Sequence, residues 1–138
     1  MSKSSNDNGG TMRKSAKRSD PEGITHRAVW KHILKRGVPG LFAFHVPNGG
    51  KRGIKEAVNF KRMGVTPGVP DLVMMLPAGE HTRVYTMEFK APGKKLSEKQ
   101  TECWERLDKV NAFQACCGNV DSALRVLEAW KILRGTAA

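Results

Sequence analysis

The stretch from Asp71 to Lys90 constrains this chain more than any other. Asp71-Leu72-Val73-Met74-Met75-Leu76 and Arg83 to Lys90 are two strand-forming runs separated by only six residues, with Pro77-Ala78-Gly79-Glu80 making the turn. A turn that short joins neighbouring strands as a hairpin. The segment before it, Thr66-Pro67-Gly68-Val69-Pro70, suits neither a helix nor a central strand and delivers the chain into the first arm.

Elements on either side follow from spacing and punctuation. Ser19 or Asp20 is placed to cap a helix that begins at Pro21 and ends at Gly37. Within it Val29 pairs with Ile33, and Trp30 with Leu34, at four-residue spacing. Leu41 to Val46 reads as a short strand closed by Pro47-Asn48-Gly49-Gly50. Ile54, Ala57 and Val58 predict a second helix ending near Gly64. Ser97 opens a third, with Cys103, Leu107 and Val110 on one face. Ala112 to Cys117 is a fourth strand, and Asn119 or Asp121 caps a last helix bearing Leu124, Leu127 and Trp130. The order α-β-α-β-β-α-β-α predicts an α/β sandwich, a small mixed sheet flanked by helices. The 138 residues suffice for one domain with a real core. Residues 1–20, rich in Ser, Asn, Gly, Lys and Arg without apolar periodicity, are expected to be a disordered basic arm before a folded domain at 21–138.

Charge narrows the partner. The formal net charge is +11, and from Arg27 to Pro70 there are nine Lys or Arg against one acid, Glu56. Such an excess favours a polyanion, nucleic acid first. No apolar run reaches membrane-spanning length, and no basic helix has a broad apolar face, so a membrane partner is not expected. The N-terminus lacks an apolar secretory segment. Cys103, Cys116 and Cys117, odd in number with two adjacent, read as reduced, buried thiols, so an intracellular, cytoplasmic location is expected. Few aromatic residues look free for base stacking, which favours duplex over single strands.

Chemistry enters with Glu88 and Lys90. Side chains alternate along a strand, so these two project from one face while Tyr85, Met87 and Phe89 form the apolar other face. An exposed Glu-x-Lys pair at a sheet edge would stabilise by only about 0–1 kcal/mol and occurs often by chance. Asp71 changes the weighing, because the hairpin brings the start of its first arm to the end of its second. Two carboxylates aimed at one spot repel unless a cation lies between them, and such hard oxygen ligands suit Mg²⁺ or Mn²⁺. A module that only binds nucleic acid would gain nothing from two acids beside its phosphate path. An enzyme is therefore the better reading than a basic binding module.

Gly68-Val69-Pro70-Asp71, then Glu88-Phe89-Lys90, then Leu96-Ser97-x-x-Gln100 resembles the PD-(D/E)xK nucleases, and within them the VRR-NUC family of virus-type replication-repair nucleases. The likeness runs from about Glu22 to Leu133. Pro47-Asn48-Gly49-Gly50 with Lys51-Arg52 is similar to the family's loop before its second helix. The resemblance implies that Asp71 and Glu88 bind Mg²⁺ with the backbone carbonyl of Phe89, and that Lys90 orients or deprotonates the attacking water. It implies that Gln100 sits near the site and that Glu22 reaches the metal through water. It further implies a homodimer acting on branched DNA such as a Holliday junction, in a phage or prophage setting. Asn48, Lys51, Arg52, Lys61 and Arg62 would contact the DNA.

Two of these residues have competing explanations. Ser97-Glu98-Lys99-Gln100 fits a capping box, a role compatible with catalytic support. Glu22 suits the first turn of a helix, where the dipole favours a carboxylate, and this is the stronger reading for it. At His26 the chain departs from the family's usual Gln. His45, at the end of a strand before the Asn-Gly loop, is a possible phosphate contact.

Overall fold

The computed structural model describes residues 20–47 and 53–135. The elements in chain order are α1 (Pro21–Arg36), β1 (Phe42–His45), α2 (Ile54–Arg62), β2 (Leu72–Ala78), β3 (His81–Phe89), α3 (Glu98–Lys109), β4 (Phe113–Cys117) and α4 (Val120–Ala129). This is the expected α/β order. The expected arm falls almost entirely on residues outside those described.

The hairpin is tighter than the Pro-Ala-Gly-Glu turn suggests. β2 and β3 pair antiparallel from Leu72↔Met87 to Ala78↔His81, so Pro77 and Ala78 belong to the strand and only Gly79-Glu80 turns. Gly79 has φ +66°, a conformation glycine adopts at no steric cost. β1 adds antiparallel to β2, and β4 adds parallel to β3 after the α3 crossover, giving a mixed sheet in the order β1-β2-β3-β4. The Glu88 strand is therefore interior, not the sheet edge at which an exposed pair would sit.

The two faces of β3 are covered differently. Tyr85, Met87 and Phe89 pack with Leu72 and Met74, with Val29 and Ile33 of α1, and with Ala123 and Leu127 of α4. Phe89, Leu72, Met74, Met87 and Leu127 are fully buried, and each such side chain stabilises by roughly 1.5–3 kcal/mol. On the opposite face Thr86 and Glu88 are also buried, at 2% and 7% exposure. There Trp104 of α3 accepts a hydrogen bond through its backbone carbonyl from Gln114 Nε2 at 2.8 Å.

Helix ends follow the predicted chemistry. Asp20 caps α1 by accepting from the Gly23 amide at 3.0 Å. Asn119, not Asp121, caps α4 through the Ser122 amide at 2.8 Å. Arg36 donates to the Arg134 carbonyl and pairs with Glu128, joining the end of α1 to the region after α4. This basic residue is structural.

Three core expectations fail. Leu34 is 70% exposed and Val110 is 71% exposed, and Cys116 is exposed whereas Cys103 and Cys117 are buried. Val110 lies past the last turn of α3 as its C-cap. Cys116 and Cys117 are neighbours on a strand, so alternation puts only one of them inward. Trp130 sits against the core, its ring 5.2 Å from Tyr85. α2 buries no residue and packs against no other element among the described residues. No described helix is long and apolar enough to cross a membrane.

Candidate active site

Asp71 immediately precedes β2 and is held from both sides. Its backbone carbonyl accepts from the Val46 amide at 2.9 Å and from His45 Nδ1 at 2.7 Å. A carbonyl only accepts, so His45 carries its proton on Nδ1. On the other side, Asp71 Oδ2 accepts from the Phe89 amide at 2.9 Å. The carboxylate is thus fixed at the end of the hairpin where β3 finishes.

Glu88 meets Asp71 there. Burial pushes its carboxyl up to about 8, and the hydrogen bond and negative charge of Asp71 push the same way. Lys90 and an interaction with the Asp71 backbone act in the opposite direction. Two acids sharing one buried point hold a proton that an isolated carboxyl would lose. Lys90 follows β3, is half-buried, and is tied through its amide to the Cys117 carbonyl at 3.1 Å.

Gln100 both caps α3 and reaches Glu88. Its Oε1 accepts from the Ser97 amide at 2.8 Å, and Ser97 Oγ accepts from the Gln100 amide at 3.2 Å, completing a capping box. Its Nε2 donates to Glu88 Oε1 at 3.1 Å. Gly68 makes this approach possible. With φ +82°, a Cβ there would lie 2.3 Å from the Lys99 carbonyl oxygen and 2.7 Å from the Gln100 nitrogen. The loop that delivers Asp71 therefore lies directly against the first turn of α3.

Glu22 lies in the first turn of α1, but its carboxylate also accepts from the Ala91 amide at 3.0 Å, joining α1 to the end of β3. The dipole explanation is thus incomplete. His26, one turn on, packs 4.4 Å from the His45 ring and 4.9 Å from Phe89. Burial, then the neighbouring His45, lowers its pKa, and Asp71 raises it.

These residues border a cleft of about 1160 Å³ whose lining includes Glu22, His26, His45, Asp71, Glu88 and Gln100. Farther along, Arg27, Trp30, Lys31 and Leu34 line it too. Four-residue spacing paired Trp30 with Leu34 but did not show that they line a cleft, and Trp30 also packs against the core. The exposure of Leu34 is the clearest mark of this wall. Below Glu88, Gln114 Oε1 is buried without a hydrogen-bond partner. Lys61 and Arg62 stand exposed at the end of α2. Asn48, Lys51 and Arg52 lie outside the described residues.

The model of the VRR-NUC domain family matches residues 20–121. The chain belongs to the VRR-NUC family. The match spans Glu22, Asp71, Glu88, Lys90 and Gln100. A solved structure described as a VRR_NUC domain protein superposes with a TM-score of 0.68 at 23% identity, covering 83% of this chain and 92% of that one. A second, described as a VRR_NUC domain, gives a TM-score of 0.55 at 18% identity and covers 81% and 99%. At these identities the likeness speaks for the fold, which is the PD-(D/E)xK-like α/β sandwich that the sequence motif implied. No curated protein compared with the chain matches it.

Among the described residues, no group of three or more His, Cys, Asp or Glu side chains is arranged to hold a metal ion. Four acidic residues line the VRR-NUC cleft, Asp20, Glu22, Asp71 and Glu88, with Phe89 beside the last of them.

Proposed function

We propose that this VRR-NUC protein is a Mg²⁺-dependent DNA endonuclease, accepting Mn²⁺ in place of Mg²⁺, that hydrolyses phosphodiester bonds in branched or duplex DNA as a homodimer. The observation that carries the reading is the convergence of Asp71 and Glu88 on one buried point at the floor of a cleft. The donor set suits the ion: Mg²⁺ is commonly held through one or two carboxylates, with water and substrate phosphate completing its shell. Asp71, Glu88 and the Phe89 carbonyl would hold it, with Glu22 contributing through water. When bound, the ion would offset charge on the phosphate and lower the pKa of the attacking water.

The chain's own residues do the positioning. Asp71 is fixed by the Phe89 amide and Glu88 by Gln100, so neither has to reorganise when substrate arrives. Lys90 orients or deprotonates the attacking water and balances the negative charge of the phosphate. Lys61 and Arg62, with Lys51, Arg52 and Asn48, contact the DNA and give affinity without reading sequence. A two-fold dimer sets two such clefts on one four-way junction.

The deciding experiment is cleavage of a labelled duplex, a flap and a four-way junction, with and without Mg²⁺. Metal-dependent cutting is expected, with binding that weakens steeply as salt rises. Undiminished cutting in excess chelator sinks the mechanism.

A further inference from the structure

We infer that the cleft seats an unpaired nucleotide of the DNA strand, its base stacked on Trp30 and the adjacent phosphates met by Arg27 and Lys31. The inference rests on the nuclease reading of Asp71 and Glu88 and names the substrate feature selected beside them.

The argument begins with α1 as a ruler along the cleft. Glu22, His26, Trp30 and Leu34 recur every four residues and all line it. The first two are anchored at the catalytic end, Glu22 on the Ala91 amide and His26 against Phe89. Trp30 and Leu34 therefore continue the same wall away from the carboxylates. Four residues of helix rise about 6 Å, so the indole stands about one turn beyond His26. A strand advances about 3.4 Å per nucleotide in duplex and more when unstacked, so that offset spans at most about two nucleotides from the His26 end.

The chemistry of the wall then selects its occupant. Arg27 and Lys31 are exposed, flank Trp30 in sequence and line the same cleft. Among the described residues Arg27 forms a surface ion pair to Asp20 at 3.6 Å, which a phosphate can replace. Beside these cations the cleft is lined by the half-buried indole, whose other side packs against the core, and by the 70%-exposed Leu34. A continuous duplex keeps its bases stacked on one another and presents sugar and phosphate, for which an apolar wall has no use. A nucleotide freed from its partner presents a flat π-face, the surface that an indole binds without regard to base identity. A second copy of the chain would cover the apolar residues but would set Arg27 and Lys31 against another strongly basic protein, so charge favours the nucleotide.

The test uses the full chain in excess chelator, so that nothing is cut. 2-Aminopurine is placed at successive positions of a short single-stranded oligonucleotide and of the same strand in full duplex. Wild-type protein is expected to quench the probe at about one or two adjacent unpaired positions and at none in the duplex. Trp30→Ala should abolish the quenching and weaken single-strand binding roughly five- to hundredfold with little change for duplex, whereas Trp30→Phe keeps both. A flat quenching profile with wild-type protein overturns the inference without recourse to any variant. So does an equal loss of both DNAs in Trp30→Ala, or the dissociation of a dimer by that variant in light scattering. Metal-dependent cutting alongside a flat profile sinks the stacking and spares the nuclease reading. Quenching without cutting under any metal does the reverse.

Discussion

Gln100 and Glu88 are joined by a 3.1 Å hydrogen bond from the same side chain that closes the capping box of α3. Helix capping and carboxylate placement are thus one device, and separate substitutions can tell its two functions apart. Ser97→Ala removes only the cap and should cost about 0.5–2 kcal/mol in a denaturant melt while leaving turnover nearly intact. Gln100→Ala should lose similar stability and also lower turnover well beyond what the melt explains. Equal activity in the two variants would reduce Gln100 to a cap.

Gly68 sets how closely the Asp71 loop approaches α3. Gly68→Ala combines a left-handed backbone with a Cβ 2.3 Å from the Lys99 carbonyl oxygen. Gly64 also has positive φ, at +94°, but nothing lies within 4 Å of its Cβ position. Gly64→Ala should therefore cost about 1–2 kcal/mol of backbone strain, and Gly68→Ala more than that with a loss of cleavage besides. Urea melts and cleavage rates of the two variants, measured side by side, check the ordering.

Asp71 serves the fold through one oxygen. Asp71→Asn keeps an acceptor for the Phe89 amide, so it should fold like the wild type and cut no DNA. Asp71→Ala leaves that amide unsatisfied and should add a stability loss of about 1–3 kcal/mol. Thermal melts and cleavage assays on both variants separate the two effects. An active Asp71→Asn would remove this carboxylate from the mechanism.

The raised pKa of Glu88 predicts how the metal-free protein responds to pH. The folded state holds this proton to about pH 8, whereas the unfolded chain releases it near 4.5. Its stabilising contribution is therefore complete below pH 4.5 and is lost as pH rises through 8. Over that window the wild type should lose stability relative to Glu88→Gln. Mg²⁺ binding should tighten over the same range, with proton release visible by calorimetry in buffers of different ionisation heat. A pH-independent stability difference between the two proteins would contradict the shift.

The sequence made the framework legible because its signals are local. A turn between two apolar runs, an Asp before a Pro, and a Ser three residues before a Gln each act within a few residues of chain. All three appear as a hairpin, an N-cap and a capping box. Spacing reveals which residues share a face, but not what covers it. Thr86 and Glu88 follow alternation correctly, yet their burial depends on the remote α3. Trp30 and Leu34 share four-residue spacing, yet only Trp30 packs against the core and both line a cleft. The His26–His45–Phe89 packing joins three separate elements and leaves no trace in any one of them.

The hairpin also dictates an order of assembly. Asp71 and the Phe89 amide are 18 residues apart, whereas Glu22 and the Ala91 amide are 69 apart. The entropy of closing a loop grows with its length, so the carboxylate pair can form while the polypeptide is still largely open. The wall proposed to admit and align DNA exists only once the first helix has docked. A folding intermediate would thus already own the acidic pair yet have no place to put a strand, which keeps hydrolysis tied to completion of the native state.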